Sequence, residues 1–256
     1  MKKILFAIAC VMTLALGSCI PSNNGFGYST TFSRVVTIDT AKTPVQLVAD
    51  YTGEVFKTFT NPQYVEQLAE DGMRRAEVMM RLDVDEDYTQ TLTLLTARKI
   101  AIQAVSNTAP TEPLRPLAGW QPYPLGGTGY TPAVWVSNGY LNILPVIPAL
   151  SAGKYYLMPD TAMSDTLHFS LKASYEPSKA QMYYENIQCY DLRTLRDTAN
   201  AEESLRGKMT AMLDAMSKLR QDSMRIVVTS LIDVHYYEKD TLMEQSAMTN
   251  FFKYDF

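Results

Sequence analysis

The chain has 256 residues, 23 Lys+Arg against 27 Asp+Glu, 46% hydrophobic residues and three Cys. That composition excludes a disordered, collagen-like or disulfide-stapled protein. A net charge of -4 argues against a polyanion partner, which is normally met by a basic surface, so no nucleic-acid role is expected.

The first 18 residues stand apart. Lys2 and Lys3 precede an uncharged run from Ile4 to Leu16 that closes in Leu16-Gly17-Ser18-Cys19. The run has 13 residues, against the ~20 of a membrane-spanning helix, so residues 1–18 read as a secretory signal. The Leu-x-Ser-Cys ending resembles the lipobox of bacterial lipoproteins. The resemblance implies cleavage before Cys19, two acyl chains on its thiol and one on the new amino group. Each buried methylene contributes ~0.8 kcal/mol, and several chains hold where one is marginal. The implied partner is therefore a membrane, reached through the lipid on Cys19. Losing the signal removes Lys2 and Lys3 and no acid, which leaves 21 bases against 27 acids and a charge of -6. Cys10 leaves with the signal and Cys19 carries lipid, so Cys189 alone remains and no intramolecular disulfide can form. Cys189 sits in an apolar-polar run, Tyr184 to Leu192, where a half-buried strand position is set against a reactive thiol.

Residues 19–31 are short, polar and Gly-containing, the composition of a flexible tether. From 32 to 105 the pattern is strand-like, with runs at Val35–Ile38, Val45–Ala49, Val78–Val84, Tyr88–Thr96 and Lys99–Val105. One helix interrupts them: Asn61 can cap, Pro62 suits the first helical position, Tyr64, Val65 and Leu68 share a face, and Gly72 can close it in the left-handed region. Five strands and one short helix predict a small OB-like barrel. Residues 106–133 hold six prolines and four glycines and read as a linker. Residues 134–256 read as an antiparallel β-sandwich with strands at Ala133–Ile143, Tyr155–Pro159, Thr166–Tyr175, Tyr183–Leu192 and Met224–Tyr237. In the clearest of these, Leu167, Phe169, Leu171 and Ala173 alternate with Thr166, His168, Ser170 and Lys172. Between the last two strands, Leu205, Met209, Met212, Leu213, Met216 and Leu219 fall at helical spacing over 200–221, with Asn200 and Glu203 placed as a capping box. The predicted architecture is mainly β, an OB-like barrel followed by a sandwich carrying one long amphipathic helix.

Chemistry-bearing groups are sparse. The two histidines, His168 and His235, lack Cys or Glu at metal-ligand spacing, so no metal or other cofactor is expected. No Gly-x-Ser-x-Gly elbow, Ser-x-x-Lys or Cys-His signature appears. Asp83-Val84-Asp85-Glu86-Asp87 begins like a calcium loop, but Tyr88 stands where Gly is required and Leu94 where Glu is required, so a solvated hairpin turn fits better. Gly126-Gly127-Thr128-Gly129 lacks the Lys of a phosphate loop. The 16 tyrosines include the pairs Tyr155-Tyr156, Tyr183-Tyr184 and Tyr236-Tyr237, each of which turns one ring outward on a strand. These rings supply the alternative role of a glycan-binding face. The Met-rich helix either packs on the sandwich or meets a protein partner.

Ala133-Val134-Trp135-Val136-Ser137-Asn138-Gly139-Tyr140-Leu141-Asn142-Ile143 resembles the second-domain opening of the NigD-like lipoproteins. Asp50-Tyr51-Thr52-Gly53 and Gly72-Met73-Arg74-Arg75-Ala76-Glu77-Val78 are similar to turns of that family's first domain. The order of signal, lipobox, OB-like domain and β-sandwich matches as well. The family supplies no catalytic residues; the lipobox and the lack of a catalytic constellation predict a non-enzymatic binding or assembly role in the envelope. Lipoproteins of one lineage of Gram-negative anaerobes carry early acids after the lipid Cys when displayed on the cell surface. None follows Cys19, so the expected site is the outer membrane, facing the periplasm.

Overall fold

A computed structural model of the chain describes residues 27–126, 129–178, 182–219, 223–236 and 239–253. It divides into two units, one reaching to Ile100 and taking in Pro124–Tyr130, the other made of Ala101–Tyr123 and Thr131–Phe256. The signal, Cys19 and the first part of the tether lie outside the described residues.

The first unit opens with β1 (Tyr28–Asp39), β2 (Gln46–Ala49), β3 (Val55–Phe56), α1 (Pro62–Glu70), β4 (Arg75–Val84) and β5 (Gln90–Lys99). Its five strands pair in the order β3-β2-β1-β4-β5, with the helix between β3 and β4 in the chain. This is a five-stranded OB-type arrangement that no strand ladder closes, because β3 and β5 do not pair. Inner-face residues Val36 and Ile38 of β1 meet Leu47, Phe56, Val78 and Met80, and α1 adds Val65 and Leu68 to that core. β1 begins at Tyr28, so the strand starts inside the stretch that reads as a tether.

Two local expectations for α1 separate here. Pro62 does open the helix, and Gly72 ends it at φ 67, with its N–H on Ala69 O and the Met73 N–H on Leu68 O. Asn61, however, makes no capping bond. Its amide instead reaches β5, donating to Leu94 O at 2.8 Å and accepting from the Leu94 N–H at 3.1 Å. Leu94 turns these backbone groups toward the missing β3–β5 ladder, and the half-buried amide of Asn61 satisfies both. The acid run behaves as a turn: Asp85 Oδ1 accepts from the N–H groups of Asp87 and Thr89 at 3.0 and 2.7 Å. Under the β2–β3 turn, Asp50 and Arg75 form a bidentate pair at 2.6 and 2.5 Å with 3% and 0% of their side chains exposed.

Next in the chain come β6 (Ile102–Ala104), β7 (Gly119–Trp120) and the hairpin of β8 (Pro124–Gly126) and β9 (Gly129–Tyr130), the hairpin grouping with the first unit. The proline-rich stretch thus yields only strands of two or three residues. The second unit continues with β10 (Val134–Ser137), β11 (Tyr140–Ile143), β12 (Pro145–Ile147), β13 (Lys154–Met163), β14 (Thr166–Ser174), β15 (Tyr184–Glu185) and β16 (Gln188–Asp191). It ends with α2 (Glu203–Lys218), β17 (Ser223–Tyr236), β18 (Lys239–Met248) and β19 (Phe252–Lys253). Its sheets run β10-β11-β16-β6, β15-β12-β7 and β13-β14-β17-β18. Leu141, Ile147, Leu157 and Phe169, drawn from all three sheets, share one core with Met209, Met212 and Met216 of α2.

The alternation on β14 holds from Leu167 onward: Leu167, Phe169, Leu171 and Ala173 are buried and His168, Ser170 and Lys172 are half-buried, whereas Thr166, expected with the outer face, is buried as well. The segment Ala133–Ile143 is not one strand. Asn138 at φ 49 and Gly139 at φ 83 make a two-residue hairpin turn with Ser137 opposite Tyr140, the geometry that an Asn-Gly pair favours. The long helix starts at Glu203 rather than Asn200, which belongs to a preceding 3-10 turn and donates to Asp197 Oδ1, so the expected capping box does not form. Two pairings, β14–β17 and β6–β16, are parallel, because long crossovers, one of them carrying α2, separate their strands. β18 is a strand that the sequence reading did not include.

Candidate functional site

In the first unit the wall of the barrel is missing over half of β1. β2 pairs only with Val36–Asp39, whereas β4 pairs with Tyr28–Thr37. The inner-face series of β1 therefore changes role along its length: Val36 and Ile38 enter the core, and Tyr28, Thr30, Phe32 and Arg34 line a cleft of about 440 Å3. One side of the cleft is the chain from Glu54 to Thr60, and the other is Leu82 with Gln90–Leu92. Thr60 and Asn61 pinch one end. The Thr60 N–H donates to Leu92 O at 2.8 Å and the Thr60 and Thr93 hydroxyls share a bond of 2.7 Å, beside the Asn61–Leu94 pair.

The cleft floor is aromatic, with the Phe32 and Phe56 rings 6.2 Å apart and tilted by 43°, and Phe59 on the lining. Arg34 lies against it, 5% exposed, with its guanidinium carbon 4.9 Å from the Phe32 centroid and Nη1 donating to Ser33 O at 2.9 Å. Lys57 and Glu54 stand exposed at the rim. The lining offers apolar surface, threonine hydroxyls, two cations and one acid, and it holds no His or Cys. That set can hold a ligand by burial and charge.

The residues singled out in the sequence lie elsewhere. Cys189 is fully buried on β16 and forms no disulfide. His168 on β14 stands opposite Val227 of β17, and His235 is eight positions further along that strand, on the order of 26 Å at strand rise. Among the described residues no group of three or more His, Cys, Asp or Glu is placed to hold a metal. The stripe of α2 is spent on the core. Tyr155 and Tyr190 are buried, and burial pushes both hydroxyls far above their ordinary range. Tyr156 donates to Glu112 Oε2 at 2.8 Å, and Tyr183 is exposed. Among the described tyrosines, Tyr28 is the one that lines the cleft. The cleft residues went unnoticed in the sequence, although one signal is present: a single strand face that passes from Tyr28, Thr30, Phe32 and Arg34 to Val36 and Ile38 turns from mixed to wholly apolar.

Fold and site together define a two-unit β protein, an open OB-type barrel and a β-sandwich, with a ligand-sized cleft in the barrel. A solved structure from Bacteroides fragilis NCTC 9343, named provisionally as a lipoprotein, shares this fold at TM-score 0.54 and 13% identity over 88% of this chain and 99% of that one. Others include a protein from Parabacteroides distasonis ATCC 8503, named provisionally as toxin-related (TM-score 0.46, 13% identity, 88% and 95% covered), and a NigD-like immunity protein from Bacteroides caccae ATCC 43185 (TM-score 0.41, 10% identity, 88% and 94% covered). A NigD-like protein is thus among the similar solved structures, as the sequence resemblance has it. No family model and no curated protein matches the chain. Among the described residues no helix is long and apolar enough to cross a membrane.

Proposed function

We propose that the chain is a non-enzymatic binding lipoprotein of the cell envelope, anchored by lipid on Cys19 to the outer membrane and facing the periplasm. The cleft of the barrel is the binding site. The observation that carries the binding role is the interrupted inner face of β1, where Tyr28, Thr30 and Arg34 line a cavity together with Phe32, which packs on the edge of the core. A protein that needed only a stable barrel would fill that face with apolar side chains, since an enclosed apolar face is the stronger source of stability. The signal-like run ending in Leu16-Gly17-Ser18-Cys19 supports the anchor.

Radiolabelled palmitate is expected to enter the wild-type protein and to be absent from Cys19→Ala; equal labelling of the two refutes the anchor. Protease shaving of intact cells is expected to spare the protein, and cleavage places it on the outer surface instead. For the site, lining variants such as Phe32→Ala are expected to abolish ligand binding while the second unit stays folded. Binding that survives them moves the site out of the cleft.

A further inference from the structure

We propose that β18 is the seam of a homodimer, where it pairs antiparallel with β18 of a second copy of this chain across a two-fold axis at Gln245. The inference is independent of the cleft. β18 is the last strand in the order β13-β14-β17-β18. At the opposite end of that sheet, β13 carries Pro159 and an irregular ladder between Pro159 and Thr161, two devices that discourage pairing with another chain. β18 has neither. Its register to β17 runs unbroken from Lys239 to Met248 without a proline, and Leu242 through Ser246 are all exposed. The direction of its backbone groups follows from β17. Leu231 O accepts from the Leu117 N–H at 2.8 Å and the Asp233 N–H donates to Leu117 O at 2.9 Å, so Leu231 and Asp233 are turned away from β18. Ser230 and Ile232 alternate with them and face Gln245 and Met243 of β18. Met243 and Gln245 therefore bond inward, and Leu242, Glu244 and Ser246 turn their N–H and C=O groups to the open edge.

The side chains of this edge are complementary to themselves in one register. Outward residues of one copy must meet outward residues of the other, which places the two-fold axis on a residue. An axis at Glu244 sets two carboxylates directly opposite each other, which is destabilising. An axis at Met243 sets each Glu244 against Leu242 and leaves Met248 outside the overlap, and an axis at Ser246 leaves Leu242 and Met243 uncovered. With the axis at Gln245, Leu242 stands opposite Met248 and Met243 opposite Ala247, each twice by symmetry. Glu244 then meets Ser246, and the two Gln245 side chains meet on the axis. Leu242, Met243 and Met248 are exposed in the single chain, and this register gives all three an apolar partner. The two Glu244 carboxylates fall on a diagonal rather than opposite each other.

A scan of single cysteine substitutions from Leu242 to Met248, made in the full chain and oxidised in native membranes, reads the seam directly. Because Gln245 bonds inward, its two copies form a non-hydrogen-bonded pair with Cα atoms ~4.5 Å apart, within the span of a disulfide. The two copies of Glu244 are a diagonal pair ~7–8 Å apart, beyond that span. Cys189 is fully buried, and the unsubstituted chain supplies the baseline for Cys19. Gln245→Cys is expected to give at least tenfold more covalent dimer than every other position of the scan. Glu244→Pro removes an outward N–H that the β17 ladder does not use, a change an edge strand tolerates. It should leave the tryptophan fluorescence transition in place and weaken the dimer at least tenfold in sedimentation equilibrium of the chain purified in density-matched detergent. A maximum at another position overturns the proposal, as does covalent dimer no greater than that of the unsubstituted chain. So do a cross-link from position 245 to a different polypeptide and a Glu244→Pro dimer as tight as the unsubstituted one.

Discussion

Asn61 offers the sharpest test of how the barrel is held at its open seam. Replacing it with Ser removes the amide that bonds both backbone groups of Leu94 and leaves an excellent helix cap before Pro62. Each half-buried backbone group left unsatisfied costs ~1–3 kcal/mol, so taking the lower half of that range for two groups gives about 2–4 kcal/mol. A unit of this size has a urea m-value of ~1–1.5 kcal/mol/M, which turns the loss into a midpoint shift of about 2 M. Both tryptophans, Trp120 and Trp135, lie in the second unit, so their fluorescence provides an internal control while far-ultraviolet circular dichroism follows the whole chain. Asn61→Ser is expected to bring forward the dichroism change assigned to the first unit, leave the fluorescence transition in place and speed exchange of the Leu94 amide. Were Asn61 only a helix cap, Ser would substitute for it almost without loss and Ala would cost ~1 kcal/mol. That outcome would refute the seam argument.

Three further outcomes follow from other parts of the fold. Arg75→Met strands the buried carboxylate of Asp50 and is expected to cost ~3–5 kcal/mol in urea unfolding of the first unit, with much of it recovered in Arg75→Met/Asp50→Leu, because the loss comes from an uncompensated charge. Met212→Ala empties a fully buried site under the sandwich; the expected cost is ~2–5 kcal/mol, visible in the tryptophan transition. Hydrogen bonds first from Lys154 and then from Tyr156 hold the Glu112 carboxyl below its ordinary value. Its stabilising contribution is therefore present above the unfolded carboxylate value and lost as pH falls through the folded one, and carbon-detected NMR should show Glu112 titrating higher in Lys154→Ala.

What the sequence disclosed depended on whether a residue faced a core. The buried face of β14 imposes strict alternation and the stripe of α2 imposes helical spacing, so both were readable. In β18, Leu242 through Ser246 are all exposed, so that stretch carries no alternation for the sequence to show. The Asn138-Gly139 turn was written in the sequence, but the apolar residues on either side of it read as one continuous run. The parallel pairings lie beyond local reading, because crossovers of many residues set them. Asn61 shows a local rule yielding to a tertiary demand: an ideal cap in the ideal place is drawn across the seam by two backbone groups that no strand reaches. The cleft was hidden for a related reason, since a strand face half spent on the core and half on a cavity looks from sequence like an imperfect core strand.

The envelope role is tested most directly by intact-mass spectrometry of the protein extracted from native membranes. The expected species begins at Cys19 and carries the mass of three acyl chains. A chain that retains residues 1–18, or one that begins at Cys19 with a bare thiol, contradicts it.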